Sequence, residues 1–192
     1  MGLTRQAKNL TGRQTAHLQA FLQTTRYPAR NRVILLLSVK AGLRAKEIAS
    51  LTWDMLTDAE GNLSSAIHLR NQASKGRSGR IIPLNRELRA ALQELYQARG
   101  ASPYVITSER SERTSASVIV NLFAGWYRAL GFCGCSSHSG RRTFITGAAR
   151  KSSMVGGSLR DVQMLAGHAA LSTTQRYIEA DVEAQQKVVE LI

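Results

Sequence analysis

The chain has 192 residues, 43% of them hydrophobic and 20% charged, a composition that supports one compact core and excludes a disordered chain. Its 26 Lys and Arg face 13 Asp and Glu, a net charge of +13, and an excess of that size favours a polyanionic partner, nucleic acid first among them. No run approaches the roughly 18 apolar residues of a membrane helix, and residues 1–10 lack the apolar segment of a secretory signal, so a cytoplasmic protein with no membrane partner is expected.

Thr11-Gly-Arg-Gln14 has the form of a capping box, and Leu18, Phe21 and Leu22 follow at helical spacing, which predicts a first helix over 12–25, ended by Pro28. A second helix over 30–41 carries the run Val33 to Leu37 and stops at Gly42, and Ile48, Leu51 and Met55 predict a third that begins near Ala45. From Leu63 to Leu84 the period changes to two. Ile67 and Leu69 alternate with polar neighbours, a Ser/Gly/basic turn spans 74–79, and Ile81-Ile82-Pro83-Leu84 returns, the pattern of a β-hairpin. Leu88, Leu92 and Leu95 predict one further helix and Val118, Val120, Leu122, Phe123 and Trp126 another, with Tyr104-Val-Ile106 a candidate strand between them.

A helix starts just after His138 and runs to about Arg150, and the stretch Ser152 to Ser158, with Gly156-Gly157, reads as a flexible connector. Two short helices follow. The first, near 159–165, ends before Gly167; the second opens with a Ser172-Thr-Thr-Gln175 capping box and carries Tyr177. Residues 182–192 form a tail with an irregular apolar stripe. The fold class is therefore mixed α+β, mainly helical, with a small antiparallel hairpin.

Breaking a phosphodiester without a metal requires an in-line nucleophile, cationic donors at the non-bridging oxygens and an acid for the leaving 5′-oxygen. Arginine suits the oxygens because its planar fork donates paired hydrogen bonds and stays charged. Lysine or histidine suits the acid, and tyrosine can attack and later leave. Cys133 and Cys135 are too close for an easy disulfide, fit a reducing compartment, and with His138 lack structural-zinc spacing, so no metal is expected. No phosphate-binding Walker pattern is present, so no nucleotide cofactor is expected either.

Gly42-Leu-Arg44-Ala-Lys-Glu47-Ile-Ala-Ser-Leu51 resembles the first box of the tyrosine recombinases of the phage-integrase family, and the resemblance makes Arg44 the first catalytic arginine. Lys75, ahead of Arg80-Ile-Ile-Pro-Leu84, fits the place of the family's hairpin lysine. His138-Ser-Gly-Arg141 is similar to the second box, His-x-x-Arg; residues three apart on a helix share a face, so both side chains can meet one phosphate. Leu165-Ala-Gly-His168, with Tyr177 nine residues after the histidine, is similar to the last box and is the most specific match.

The resemblance implies a site-specific recombinase that cuts and rejoins double-stranded DNA through a 3′-phosphotyrosyl link. Tyr177 would be the nucleophile, Arg44 and Arg141 the phosphate clamps, His138 and His168 aids to proton handling and phosphate binding, and Lys75 the acid, with Glu47 a support. It also implies a homo-oligomer, a tetramer on DNA. Arg80, Arg142 and Arg176 are candidate contacts to the DNA backbone. A non-catalytic DNA-binding regulator and a type IB topoisomerase-like nicking-closing enzyme are the alternatives. One catalytic domain is expected over residues 1–192, with the family pattern over 12–180, a tail at 181–192 and no separate N-terminal core-binding domain. Two further departures from the pattern are Arg142, where many relatives have histidine, and the long connector around Gly156.

Overall fold

The architecture is set by one helix that is apolar on nearly every side. In the computed structural model, which describes residues 7–73, 79–98, 101–108, 111–177 and 189–190, helix α2 (Pro28–Ala41) buries Asn31, every residue from Val33 to Val39, and Ala41. A helix hydrophobic all round must lie inside, and α1 (Gly12–Gln23), α4 (Arg86–Gln97) and α6 (Ser139–Lys151) pack around it. Helix α3 (Ala45–Ala49) packs on α5 (Ala116–Ala129). The hairpin pairs β1 (Ala66–Leu69) with β2 (Arg80–Pro83), antiparallel, with Ile67 opposite Ile82 and both side chains in the core. Its turn, Lys75 included, lies outside the described residues.

A second, smaller core joins α6 to α7 (Leu159–Ala166) and α8 (Leu171–Gln175). Ile145, Val162 and Ala166 are its buried centre, with Phe144, Leu159 and Tyr177 packed against it. It forms because α7 buries one stripe, Val162 and Ala166, four residues apart. None of the helices is long and apolar enough to cross a membrane among the described residues.

Several elements differ from the pattern in the sequence. Pro28 does not end α1; Thr24 closes that helix, and Pro28 opens α2 from its first turn, where its missing N–H costs nothing. Helix α3 stops at Ala49, so Leu51 lies beyond the helix and Met55 in a 3₁₀ turn, Trp53–Met55. Tyr104 makes only an isolated bridge to Thr52 instead of a strand, because that chain runs beside residues 51–53 for too short a length. On α5 the buried stripe is Ile119, Phe123, Trp126 and Tyr127, whereas Val118 and Val120 face outward at 44% and 40% exposure. The connector after α6 is partly ordered: Ser152–Val155 form a 3₁₀ turn closed by Gly156. Finally, α8 is capped by Ala170 with no side-chain bond, and it ends before Tyr177. The apolar tail falls outside the described residues except 189–190.

Candidate active site

Arg141 is the centre of the site, and its place follows from close packing of α6 on α2. A Cβ on Gly140 would stand 2.3 Å from the Ser38 hydroxyl, so only glycine lets the two helices approach. The approach carries the Arg141 guanidinium to the end of α2, where Nη1 donates to the Gly42 carbonyl at 2.5 Å. Its Nη2 donates to the Ala166 carbonyl at 2.7 Å and to Nε2 of His168 at 3.0 Å. Arg141 is 3% exposed. Burial, then the neighbouring Arg44 charge, pushes its pKa down to about 10, which leaves it cationic at neutral pH.

His168 follows the C-terminal turn of α7, where Gly167 adopts a left-handed φ of 64°. Its backbone is held by Gln163, which donates to the His168 carbonyl at 2.9 Å. On the ring, Nε2 must accept from Arg141, so Nδ1 carries the hydrogen and donates to the Thr174 hydroxyl at 2.9 Å. Burial, then the charges of Arg141, Arg44 and Arg80, push the imidazole pKa down to about 4. His168 is therefore neutral at neutral pH, an acceptor that orients Arg141 rather than a proton donor.

Tyr177 stacks on that imidazole, with ring centroids 5.4 Å apart and planes at 24°. Its carbonyl accepts from the Thr146 hydroxyl of α6 at 3.1 Å, and the Arg142 guanidinium lies over the ring at 5.7 Å from its centroid. Tyr177, Arg141, Arg142, His138, Arg176, Ser136, Thr173 and Ala7 line one cleft of about 350 Å³. His138, the N-terminal flank of α6, and Arg141 thus meet the same space, as their spacing predicts.

Arg44 reaches the site through Glu47, which is fully buried. The Glu47 carboxylate accepts from the Arg44 backbone N–H at 2.8 Å and from Arg44 Nη1 at 2.9 Å. It also takes a paired bond from Arg80, at 3.0 and 3.1 Å. Burial alone would raise this carboxyl; the bonds and charges of Arg80 and Arg44 overcome it and hold the pKa below the usual carboxylate range. Arg44 remains partly exposed, and its charge acts on both Arg141 and His168.

Arg80 differs from the expectation of a surface contact to DNA. Its side chain is 6% exposed, its Nε donates to the Leu165 carbonyl at 2.7 Å, and its fork is spent on Glu47. It braces β2 against α3 and α7. Arg142 and Arg176 do line the cleft, while Lys75 lies outside the described residues. Sequence reasoning missed Thr174 and the Gly42 and Ala166 carbonyls. The threonine had only a capping-box signal, and carbonyl acceptors leave none.

Residues 8–184 match the family model described as the phage integrase family. The chain belongs to the phage integrase family. Within it, the chain is 31% identical over 180 residues to a tyrosine recombinase XerC of Pelobacter propionicus, covering 91% of this chain and 55% of that one. It is 28% identical to a tyrosine recombinase XerA of Thermococcus kodakarensis, covering 95% and 62%. The chain thus spans about half to three-fifths of the length of the curated relatives it matches. The crystal structure of XerA recombinase superposes with a TM-score of 0.75 at 23% identity, covering 95% of this chain and 64% of that one. The Tn1549 transposon integrase bound to transposon right end DNA superposes at 0.75 and 20%, covering 96% and 65%. These likenesses confirm the mainly helical fold of the family with its small antiparallel sheet.

Proposed function

We propose that this chain is a site-specific recombinase that breaks and rejoins double-stranded DNA through a 3′-phosphotyrosyl link at Tyr177. The observation that carries the reading is the Tyr177 ring stacked on His168, itself bonded to Arg141, with tyrosine and arginine lining one cleft. The relatives are named tyrosine recombinases, and a solved neighbour is an integrase on transposon DNA, which supports the same chemistry.

Of the five N–H donors of Arg141, three have acceptors among the described residues. The second Nη1 hydrogen and the Nε hydrogen remain for a non-bridging phosphate oxygen. Arg44, held by Glu47, supplies the second cation, and His138 a further donor. The phenol oxygen attacks phosphorus and forms the tyrosyl ester as the bond to the 5′-oxygen breaks. The phenol proton leaves to a base or water, and Lys75 protonates the departing 5′-oxygen. Reversal by a partner strand's 5′-hydroxyl reseals the backbone with no energy source beyond the ester. Arg142 and Arg176 contact flanking phosphates, the assembly on DNA is a tetramer, and the compartment is the cytoplasm.

A nicked suicide duplex drawn from DNA flanking the protein's own gene tests the proposal. Wild type should give an adduct that survives denaturation, Tyr177→Phe none, and Arg141→Ala a yield lower by roughly 10²–10³-fold in rate. An adduct undiminished in Tyr177→Phe removes this tyrosine from the role.

A further inference from the structure

Helix α8, which leads into the tyrosine, has five residues, no side-chain cap at Ala170 and one buried side chain, Thr174. So short a helix is not stable by itself, and its place must come from contacts with the rest of the fold. The side chain it buries is polar. Thr174 is 0% exposed, and its hydroxyl accepts from Nδ1 of His168 at 2.9 Å. Its carbonyl accepts from the Tyr177 N–H at 3.0 Å, closing the turn that carries the tyrosine. One residue thus holds His168 with its side chain and Tyr177 with its backbone. The far end of the link is fixed as well: Gln163, also buried, donates to the His168 carbonyl and accepts from Arg160 Nη1 at 2.8 Å.

A neutral imidazole carries one N–H. With that hydrogen on Nδ1, the Thr174 oxygen accepts it and Nε2 is left to accept from Arg141 Nη2. With the hydrogen on Nε2, two donors would face each other across 3.0 Å. Without a hydroxyl at position 174, the ring must either bury an N–H that has no acceptor or exchange tautomer and turn a donor on the arginine, and both are costly. Thr174 does not line the cleft that Thr173, Arg176 and Tyr177 line, so it acts on a bound phosphate only through its neighbours.

We propose that Thr174 is a positioning residue for strand cleavage: its hydroxyl fixes the His168 ring in the form that accepts from Arg141, and its backbone registers the Tyr177 turn against that ring. The nucleophile and the phosphate clamp are thereby tied through one hydrogen bond. The role in cleavage rests on the recombinase reading above; the hold on the ring does not.

The test has two arms. Nitrogen NMR of protein labelled at the histidine rings, at neutral pH, reads which nitrogen of His168 carries the hydrogen, the signal being assigned by its loss in His168→Ala. Single-turnover cleavage of the nicked suicide duplex, with protein saturating, reads the rate free of any change in affinity. Wild type and Thr174→Ser, which keeps the hydroxyl, should both hold the Nδ1–H form and cleave at similar rates. Thr174→Val, which keeps the branched shape, should lose the dominance of that form and cleave about tenfold more slowly. Because the two residues act through one bond, adding Thr174→Val to His168→Ala should slow the residual rate little further. A wild-type ring form and rate in Thr174→Val overturn the proposal. So does a tenfold loss that persists in the His168→Ala background, or a valine variant that melts lower with both readouts unmoved, which would make Thr174 a packing residue. Should wild type give no adduct at all, the recombinase reading fails by itself, and the ring form in Thr174→Val still decides whether Thr174 holds His168.

Discussion

At the scale of single residues, the protonation of His168 is the most consequential feature of the site. The imidazole takes a proton near 6.5 in the unfolded chain and near 4 in the fold. Between those values the unfolded state binds more protons, so stability is fully present above about 6.5 and is lost as pH falls toward 4. His168→Gln should flatten that part of the stability curve measured by urea unfolding; a variant that keeps the wild-type slope would place the proton elsewhere. A phosphate seated beside the ring adds negative charge and reverses the bias, so ring titration by NMR in Tyr177→Phe should move upward when duplex is bound. The identity of these groups was legible in the spacing His138-x-x-Arg141 and His168 to Tyr177. Their electrical state was not, because it depends first on burial and then on Arg141, Arg44 and Arg80 arriving from distant segments. For the same reason Arg80 read as a surface cation and proved to be an interior brace.

At the scale of elements, Glu47 is the knot where α3, β2 and α7 meet, since Arg80 bonds both its carboxylate and the Leu165 carbonyl. Removing one partner from a buried charge cluster leaves the others uncompensated, at a cost of about 3–5 kcal/mol. Glu47→Ala should lose stability in that range by denaturant unfolding. Lys40→Ala, which breaks a half-exposed pair with Glu87 at 3.1 Å, should lose about 0–1 kcal/mol; comparable losses in the two variants would deny Glu47 its structural role. An element start was legible where a side chain caps the backbone, as at Thr11, while the Ser158 cap of α7 went unread inside a stretch taken for a connector. Starts were misread where tertiary packing decides. The Ser172-Thr-Thr-Gln175 run resembles a cap, yet α8 begins at Leu171 with Ala170 in the cap position, so Ser172 lies inside the first turn, and Thr174 is bonded to His168. Likewise Tyr104 has strand-forming chemistry but only two residues' worth of neighbour to pair with.

At the scale of the whole molecule, a net charge of +13 has opposite consequences for the free protein and for its complex. In the free chain the cations repel, and the crowding is visible locally, where Arg44 and Arg80 help depress both Arg141 and His168. Screening relieves repulsion over a Debye length of about 10 Å at 0.1 M salt, so added sodium chloride should raise the melting temperature of the free protein. Bound to duplex, the same cations have displaced counterions, and salt drives those back. If roughly 6–10 phosphates are neutralised, affinity should fall by about 10³–10⁵ between 50 and 200 mM salt. Calorimetric melting and anisotropy over one salt series give both curves, and they should run in opposite directions. A melting temperature that falls as salt is added would mean that the internal ion pairs, Glu47 with its two arginines foremost, outweigh the repulsion. An affinity indifferent to salt would mean that the basic surface does not meet phosphate at all.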